Sequence, residues 1–166
     1  MKILFEADTN AIIELACTVG TGLCLLRKNS VFSRSFQKTV PVEVLKEINV
    51  NVYAEYQELA CFLGNFHLLP ELPKYLFVDL NIVKKKEIVQ TVALLCSLHQ
   101  FSSTNIICVL NTYMLNDKTW NLFSRYFSEI FQVQHTNLFQ FLGESGEFSL
   151  VLIGEFSSNF SKILIF

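Results

Sequence analysis

The sequence predicts a single α/β domain spanning 1–166, with a mostly parallel sheet flanked by helices and an antiparallel β-meander at its C-terminal edge. Three observations predict it. Apolar strand runs alternate with helix-periodic segments from residue 2 to residue 127, the order that builds a parallel sheet. Ile106-Ile107-Cys108-Val109-Leu110 is a continuous apolar run, typical of a strand buried on both faces. After residue 129 the helical period disappears and short strand-like runs follow one another. A chain of 166 residues is long enough to bury a substantial core.

Taken in order, Lys2 to Phe5 reads as a short apolar strand. Asp8 or Thr9 can cap a following helix that carries Ile12, Ile13, Leu15 and Ala16 and stops at Gly20. Gly22 to Leu26 reads as a second strand, and the polar stretch Ser33 to Thr39 as a loop. Thr39-Pro41 offers an N-cap and a helix-opening proline for a short helix through Lys46. Ile48, Val50 and Val52 alternate as in a strand, whereas Leu59, Phe62, Leu63 and Phe66 follow the i, i+3, i+4, i+7 spacing of an amphipathic helix. Pro70 and Pro73 bracket a turn before the strand Tyr75 to Asp79. A helix from about Lys86 to Gln100 then leads into the buried strand near 106–110, and a last helix carries Trp120, Phe123 and Phe127. Short strands are predicted at 130–134, 138–142, 147–154 and 162–166, with a hairpin turn at Gly143 to Gly146.

Composition narrows the function classes. The chain is 51% apolar and only 17% charged, below the roughly 25% of an average soluble domain. That deficit is explained either by a large core or by a face that a partner covers. A net charge of −2 provides no global attraction for nucleic acid, so such binding needs a local patch. No targeting segment is visible, and no run approaches the roughly 18 apolar residues of a membrane span. The five cysteines lie singly in apolar segments without C-x-x-C spacing, which predicts buried free thiols in a reducing compartment and no metal site.

The residues with chemical interest are few. Leu76-Phe77-Val78-Asp79 is an apolar strand ending in one carboxylate, the arrangement that helps hold Mg²⁺ in nucleoside-triphosphate-binding α/β proteins. There it works beside a Gly-rich loop ending in Lys-Ser or Lys-Thr. Here the first strand runs instead into Glu6-Ala7-Asp8-Thr9-Asn10, with no glycine, no lysine and two added negative charges that would repel phosphate. Asp79 is thus either a degenerate metal-positioning relic or a polar strand end. Val19-Gly20-Thr21-Gly22 follows a helix and lacks a third glycine, so it reads as a helix stop and turn. Lys84-Lys85-Lys86 is the one compact positive run, and three cations in the first turn of a helix would oppose its macrodipole, a strain that an external anion relieves. Arg27, Lys28, Arg34 and Lys38 form a second, diffuse basic region. His67, His99 and His135 have no neighbour at metal-ligand or triad spacing and read as structural. Glu55 and Glu58 lie i, i+3 on one helix, on its wet side.

An apolar strand ending in Asp79, a helix ending in Leu-His-Gln-Phe, the buried strand Asn105 to Asn111, a Trp-bearing helix and an edge hairpin together resemble the core of RecA-family recombinases. The likeness is tightest at 74–79, 106–111 and 123–127, and the chain looks most like the small divergent paralogues of Shu complexes, which pair with a SWIM-domain zinc protein. The resemblance implies a non-catalytic accessory protein that promotes recombinase filament assembly on single-stranded DNA in the nucleus. It implies an obligate hetero-oligomer that uses no cofactor, since the phosphate loop is missing. It also implies that Lys84, Lys85 and Lys86 face DNA in one loop, with Tyr113 (stacking on a base) and Lys118 (near a phosphate) in a second, shorter loop from Thr112 to Lys118. Phe156, Phe160 and Phe166 cannot all point inward and are candidate partner contacts. The competing readings are a nucleotide-free RecA-like scaffold, such as a subunit of the Elongator tRNA-modification subassembly, and a small α/β enzyme with an unrecognised site.

Overall fold

A computed structural model describes residues 1–7, 13–15, 17–18, 22–27, 34, 38, 40, 43, 49–111, 117–142 and 149–164. Eight strands form one sheet: β1 (Lys2–Phe5), β2 (Gly22–Arg27), β3 (Asn49–Tyr53), β4 (Tyr75–Asp79), β5 (Asn105–Leu110), β6 (Glu129–Gln134), β7 (Asn137–Leu142) and β8 (Ser149–Glu155). Their spatial order is β3-β2-β4-β5-β1-β6-β7-β8. Pairings from β3 to β6 are parallel, while β6–β7 and β7–β8 are antiparallel. The strand near 130–134 therefore does two things: it extends the parallel block beside β1 and opens the antiparallel meander with β7 and β8.

The helices are α1 (Tyr56–Gly64), α2 (Ile88–Phe101), α3 (Asp117–Phe123) and α4 (Phe160–Leu164), with further helical residues at 13–15 and 17–18. Alternate strand residues point to opposite faces. Ile3, Phe5, Leu76, Val78, Ile106, Cys108, Leu110 and Ile130 pack with Leu59 and Leu63 of α1 and with Ile88, Val92 and Leu95 of α2. Leu4, Phe77, Ile107, Val109, Phe131 and Val133 pack on the other face with Ile13, Leu15, Val40, Phe156 and Ile163. Burial on both faces accounts for the unbroken apolar runs of β4 and β5. No described helix is long and apolar enough to cross a membrane.

Four expectations are corrected. Of the strand expected at 162–166, residues 162–164 belong instead to α4, in which Phe160 and Ile163, three residues apart, turn toward the second cluster; residues 165–166 lie outside the described residues. A short apolar run does not by itself distinguish the two states. Arg34 and Lys38 are helical, not in a loop. The helix expected from Lys86 begins at Ile88, preceded by a 3₁₀ turn over Lys85–Glu87. Finally, Cys61 is exposed and Cys17 and Cys96 are half-buried, so among the described cysteines only Cys108 is fully buried. The predicted turn at Gly143 to Gly146 lies outside the described residues, although β7 and β8 on either side pair antiparallel.

β1 and β6 meet at a buried ion pair that the sequence did not suggest. Lys2, 2% exposed, places Nζ 2.6 Å from Oε2 of Glu129 and donates to the Lys162 carbonyl at 3.0 Å. Gln140 Nε2 of β7 donates to Oε1 of the same carboxylate at 3.2 Å. One network thus joins β1, β6, β7 and α4. Tyr75 Oη adds a donor to the Leu164 carbonyl at 3.4 Å, so α4 is fastened to the beginnings of β1 and β4. Gly154, at φ 142°, is the next-to-last residue of β8 and takes a conformation that favours glycine; a Cβ there would meet Asn159 Nδ2 at 2.9 Å.

Candidate functional site

In an open parallel sheet, ligands bind beyond the carboxyl ends of the strands. Phe5 lies beside Leu110 and Asp79 beside Val109, so β1, β5 and β4 end together along one crest. At that crest Glu6 is exposed and turns the chain at φ 54°, with its N–H donating to the Leu110 carbonyl at 3.3 Å. A positive φ is uncommon for a side chain of this size.

Asp79 is half-buried, and its Oδ1 accepts from the Asn81 backbone N–H at 3.1 Å and from Asn81 Nδ2 at 2.9 Å. Asn81 Oδ1 in turn accepts from the Asn111 N–H at 2.9 Å. The Asp-x-Asn spacing makes an Asx turn that caps the 3₁₀ turn Leu80–Ile82 and ties the end of β4 to the end of β5. This capping role fits the reading of Asp79 as a polar strand end, and the spacing Asp79-Leu80-Asn81 was its sequence signal.

Lys84, Lys85 and Lys86 are all exposed and follow the C-terminal end of β4. Because α2 starts after them, they stand ahead of its first turn, and Glu87 occupies the N-cap position. That carboxylate suits the positive end of the helix dipole. Its Oε2 is buried without a hydrogen-bond partner among the described residues. Lys118 is exposed in the first turn of α3, which follows the C-terminal end of β5, whereas Tyr113 lies outside the described residues. Topology thus sends the Lys84–Lys86 segment and Lys118 off the same border of the sheet, from neighbouring strands. Arg27 ends β2, the next strand along that border.

The aromatic candidates divide. Phe156 is buried in the second core cluster and is not a free contact surface, because the chain folds back under β7 as its N–H donates to the Thr136 carbonyl at 2.7 Å. Phe160 is half-buried against it, the rings 5.0 Å apart and edge-on. Phe166 lies outside the described residues. Among the described residues the exposed large apolar side chains are instead Leu150, Val151 and Leu152 of β8, together with Leu142, Phe101, Leu68 and Leu72.

His99 Nδ1 lies 3.1 Å from the Thr104 carbonyl, and His135 forms part of the β6–β7 turn at φ 55°. Glu58 is exposed and accepts from the Ala54 N–H at 2.9 Å. Among the described residues no group of three or more His, Cys, Asp or Glu could hold a metal ion.

No protein-family model and no curated protein matches the chain. Among solved structures it is similar to the flagellar accessory protein FlaH from Methanocaldococcus jannaschii, with a TM-score of 0.53 and 10% identity over 93% of this chain and 77% of that one. At such identity the likeness establishes the fold alone: the chain has a RecA-like fold.

Proposed function

We propose that this chain is a non-catalytic recombination accessory protein, a nuclear subunit of a Shu-like heteromeric complex that promotes recombinase filament assembly on single-stranded DNA. Its partners on this reading are a SWIM-domain zinc protein and a recombinase or its paralogues. The observation that carries the reading is the chemistry of the crest. The first β-to-α turn is acidic and lacks both glycine and lysine, while Asp79 is engaged in capping its own strand end. A turn of that sequence supplies neither a glycine-rich anion nest nor a lysine for a nucleoside triphosphate. Exposed lysines follow the ends of β4 and β5 in sequence, at Lys84–Lys86 and in the first turn of α3 at Lys118, and suit phosphate contacts along a strand of nucleic acid.

Calorimetry with ATP and Mg²⁺ tests the loss of nucleotide binding, and a dissociation constant in the micromolar range or tighter overturns it. In the assembled complex, replacing Lys84, Lys85 and Lys86 with alanine is expected to shrink the salt slope of log K for single strands by about 0.7 per lost contact, roughly two units in all. Binding should weaken alike for all sequences, because lysine–phosphate contacts carry no base information. An unchanged slope removes the DNA role from this chain. Affinity capture from the native source separates the recombination reading, which expects a SWIM-domain protein and a recombinase, from a tRNA-modification assembly.

A further inference from the structure

We propose that the outer edge of β8 is a strand-addition site that takes an extended apolar segment, bordered by Lys or Arg, from a partner protein. β8 is the last strand of the sheet and pairs with β7 alone among the described residues. An antiparallel edge strand with one wet face alternates apolar and polar residues. β8 does not: Leu150, Val151 and Leu152 are consecutive, therefore lie on both faces, and are 39, 39 and 57% exposed. This is the pattern of an interior strand standing at an edge.

The usual protections of an edge are missing along this stretch. Ser149–Glu155 contains no proline and no lysine, and its two irregularities, the register shift opposite Leu138/Phe139 and the positive φ of Gly154, both lie toward the Glu155 end. The opposite edge is built otherwise, since β3 alternates Asn-Val-Asn-Val before Tyr53. Main-chain pairing along 149–153 is therefore open to an added strand, whose alternate side chains would meet Leu150 and Leu152 on one face and Val151 on the other.

Charge decides the occupant. From residue 126 to residue 161 the sequence holds four glutamates (Glu129, Glu144, Glu147, Glu155) and neither lysine nor arginine. Glu129 is paired with Lys2, and Glu155 stands exposed at the end of β8. A second copy added parallel and in register would align Glu155 with itself. Like charges directly opposite are destabilising. A partner strand with a basic end meets Glu155 instead, in a stretch of sequence whose charged residues from 126 to 161 are all glutamates, and such complementarity steers encounter. The inference rests on the chain's acting within a heteromeric assembly, but not on its contact with DNA.

The test uses the full chain and a synthetic Lys-Lys-Val-Thr-Ile-Thr-Val-Lys-Lys peptide. Controls are the same peptide with Glu in place of every Lys, and the Lys peptide N-methylated at alternate amides, which cannot pair as a strand. The Lys peptide is expected to bind at least about tenfold tighter than either control and to protect the amides of Ser149–Glu155 from hydrogen exchange. Leu152→Lys should abolish the difference while leaving thermal stability, and the salt slope of DNA binding by the complex, unchanged. Equal affinity for all three peptides overturns the proposal, as does protection elsewhere than β8, or a chain that dimerises in a manner Leu152→Lys abolishes. If that variant fails to fold, the peptide comparison on the native chain decides alone. Loss of the Lys84–Lys86 salt effect with peptide binding intact would sink the DNA reading and spare this one.

Discussion

β5 and β8 are strands of similar apolar character in the same sheet. In Asn105–Leu110 five of six residues are buried, flanked by parallel neighbours and covered by helices on both faces. In Ser149–Glu155 the apolar residues Leu150, Val151 and Leu152 are exposed, with β7 on one side and no described strand on the other. Apolar sequence thus fixes a tendency to be covered without saying what does the covering. In the parallel block the chain supplies the cover itself; in the rim the cover is left open, and exposed contiguous apolar surface is where interaction sites are expected.

The join between block and rim is where the comparison breaks most easily. Glu129 is 36% exposed, whereas Lys2 is 2% exposed. Removing one partner of a buried pair costs about 3–5 kcal/mol when the remaining charge stays buried. Glu129→Ala removes the carboxylate 2.6 Å from the ammonium, which still donates to the Lys162 carbonyl and lies 5.9 Å from the Phe131 ring centre. Its loss of stability should therefore fall in that range. Lys2→Met leaves a carboxylate that water can reach, and should cost clearly less. Urea denaturation of both variants checks the order. Equal costs would mean that Lys2 is better solvated than its burial implies, and that block and rim are not joined there.

A second pair of variants sharpens the contrast directly. Ile107→Ala cuts a fully buried side chain from β5 and should cost about 2–5 kcal/mol through lost burial and the cavity left behind. Leu152→Ala removes a similar volume from β8 and should stay within about 0.5 kcal/mol, as for exposed sites without special contacts. Thermal melts of the isolated chain measure both. A large cost at Leu152 would show that the rim is already packed, and would remove the ground for a partner there.

How much of this was legible in the sequence follows from the range of each interaction. The strands 75–79 and 105–110 and the helix through Leu59 and Leu63 declare themselves by local periodicity and were read correctly. The α/β class followed from the order of such elements, and the RecA-like fold from the resemblance that this order carries. α4 was misread because 160–164 is too short for its period to show, and what holds it, Lys2 and Tyr75, lies far away in sequence. Phe156 was misplaced for the same reason: its burial is decided by the chain's return under β7, not by its neighbours. The lysines that leave the crest and the carboxylate of Asp79 were visible as residues, but the link from Asp79 through Asn81 to Asn111 needs β4 and β5 side by side. Lys2 gave no local sign of being buried, since a lysine opening a strand ordinarily reaches water.

The smallest effect concerns the dryness of the parallel block. Burial raises the Cys108 thiol far above its ordinary value of 9.0, and raises Cys17 as well. Tyr53 moves up from 10.0, first through burial and then through Glu58. Below pH 9 folded and unfolded chains both keep these protons, so none of them makes stability depend on pH. Above it the unfolded chain releases the Cys108 proton while the folded chain retains it, so stability falls as pH rises. Each such group can contribute a slope of up to about 1.4 kcal/mol per pH unit. Stability measured by urea denaturation should therefore decline as pH rises above about 9, and the decline should steepen above pH 10 as Tyr53 adds its share. Cys108→Ala should flatten the first part of the decline whatever it costs at neutral pH, because a cavity penalty does not depend on proton release. Cys61→Ala, at an exposed thiol of α1, is the control for the general effect of losing a cysteine. If the two variants decline in parallel with the native chain, water reaches Cys108 and the parallel block is no drier than the rim.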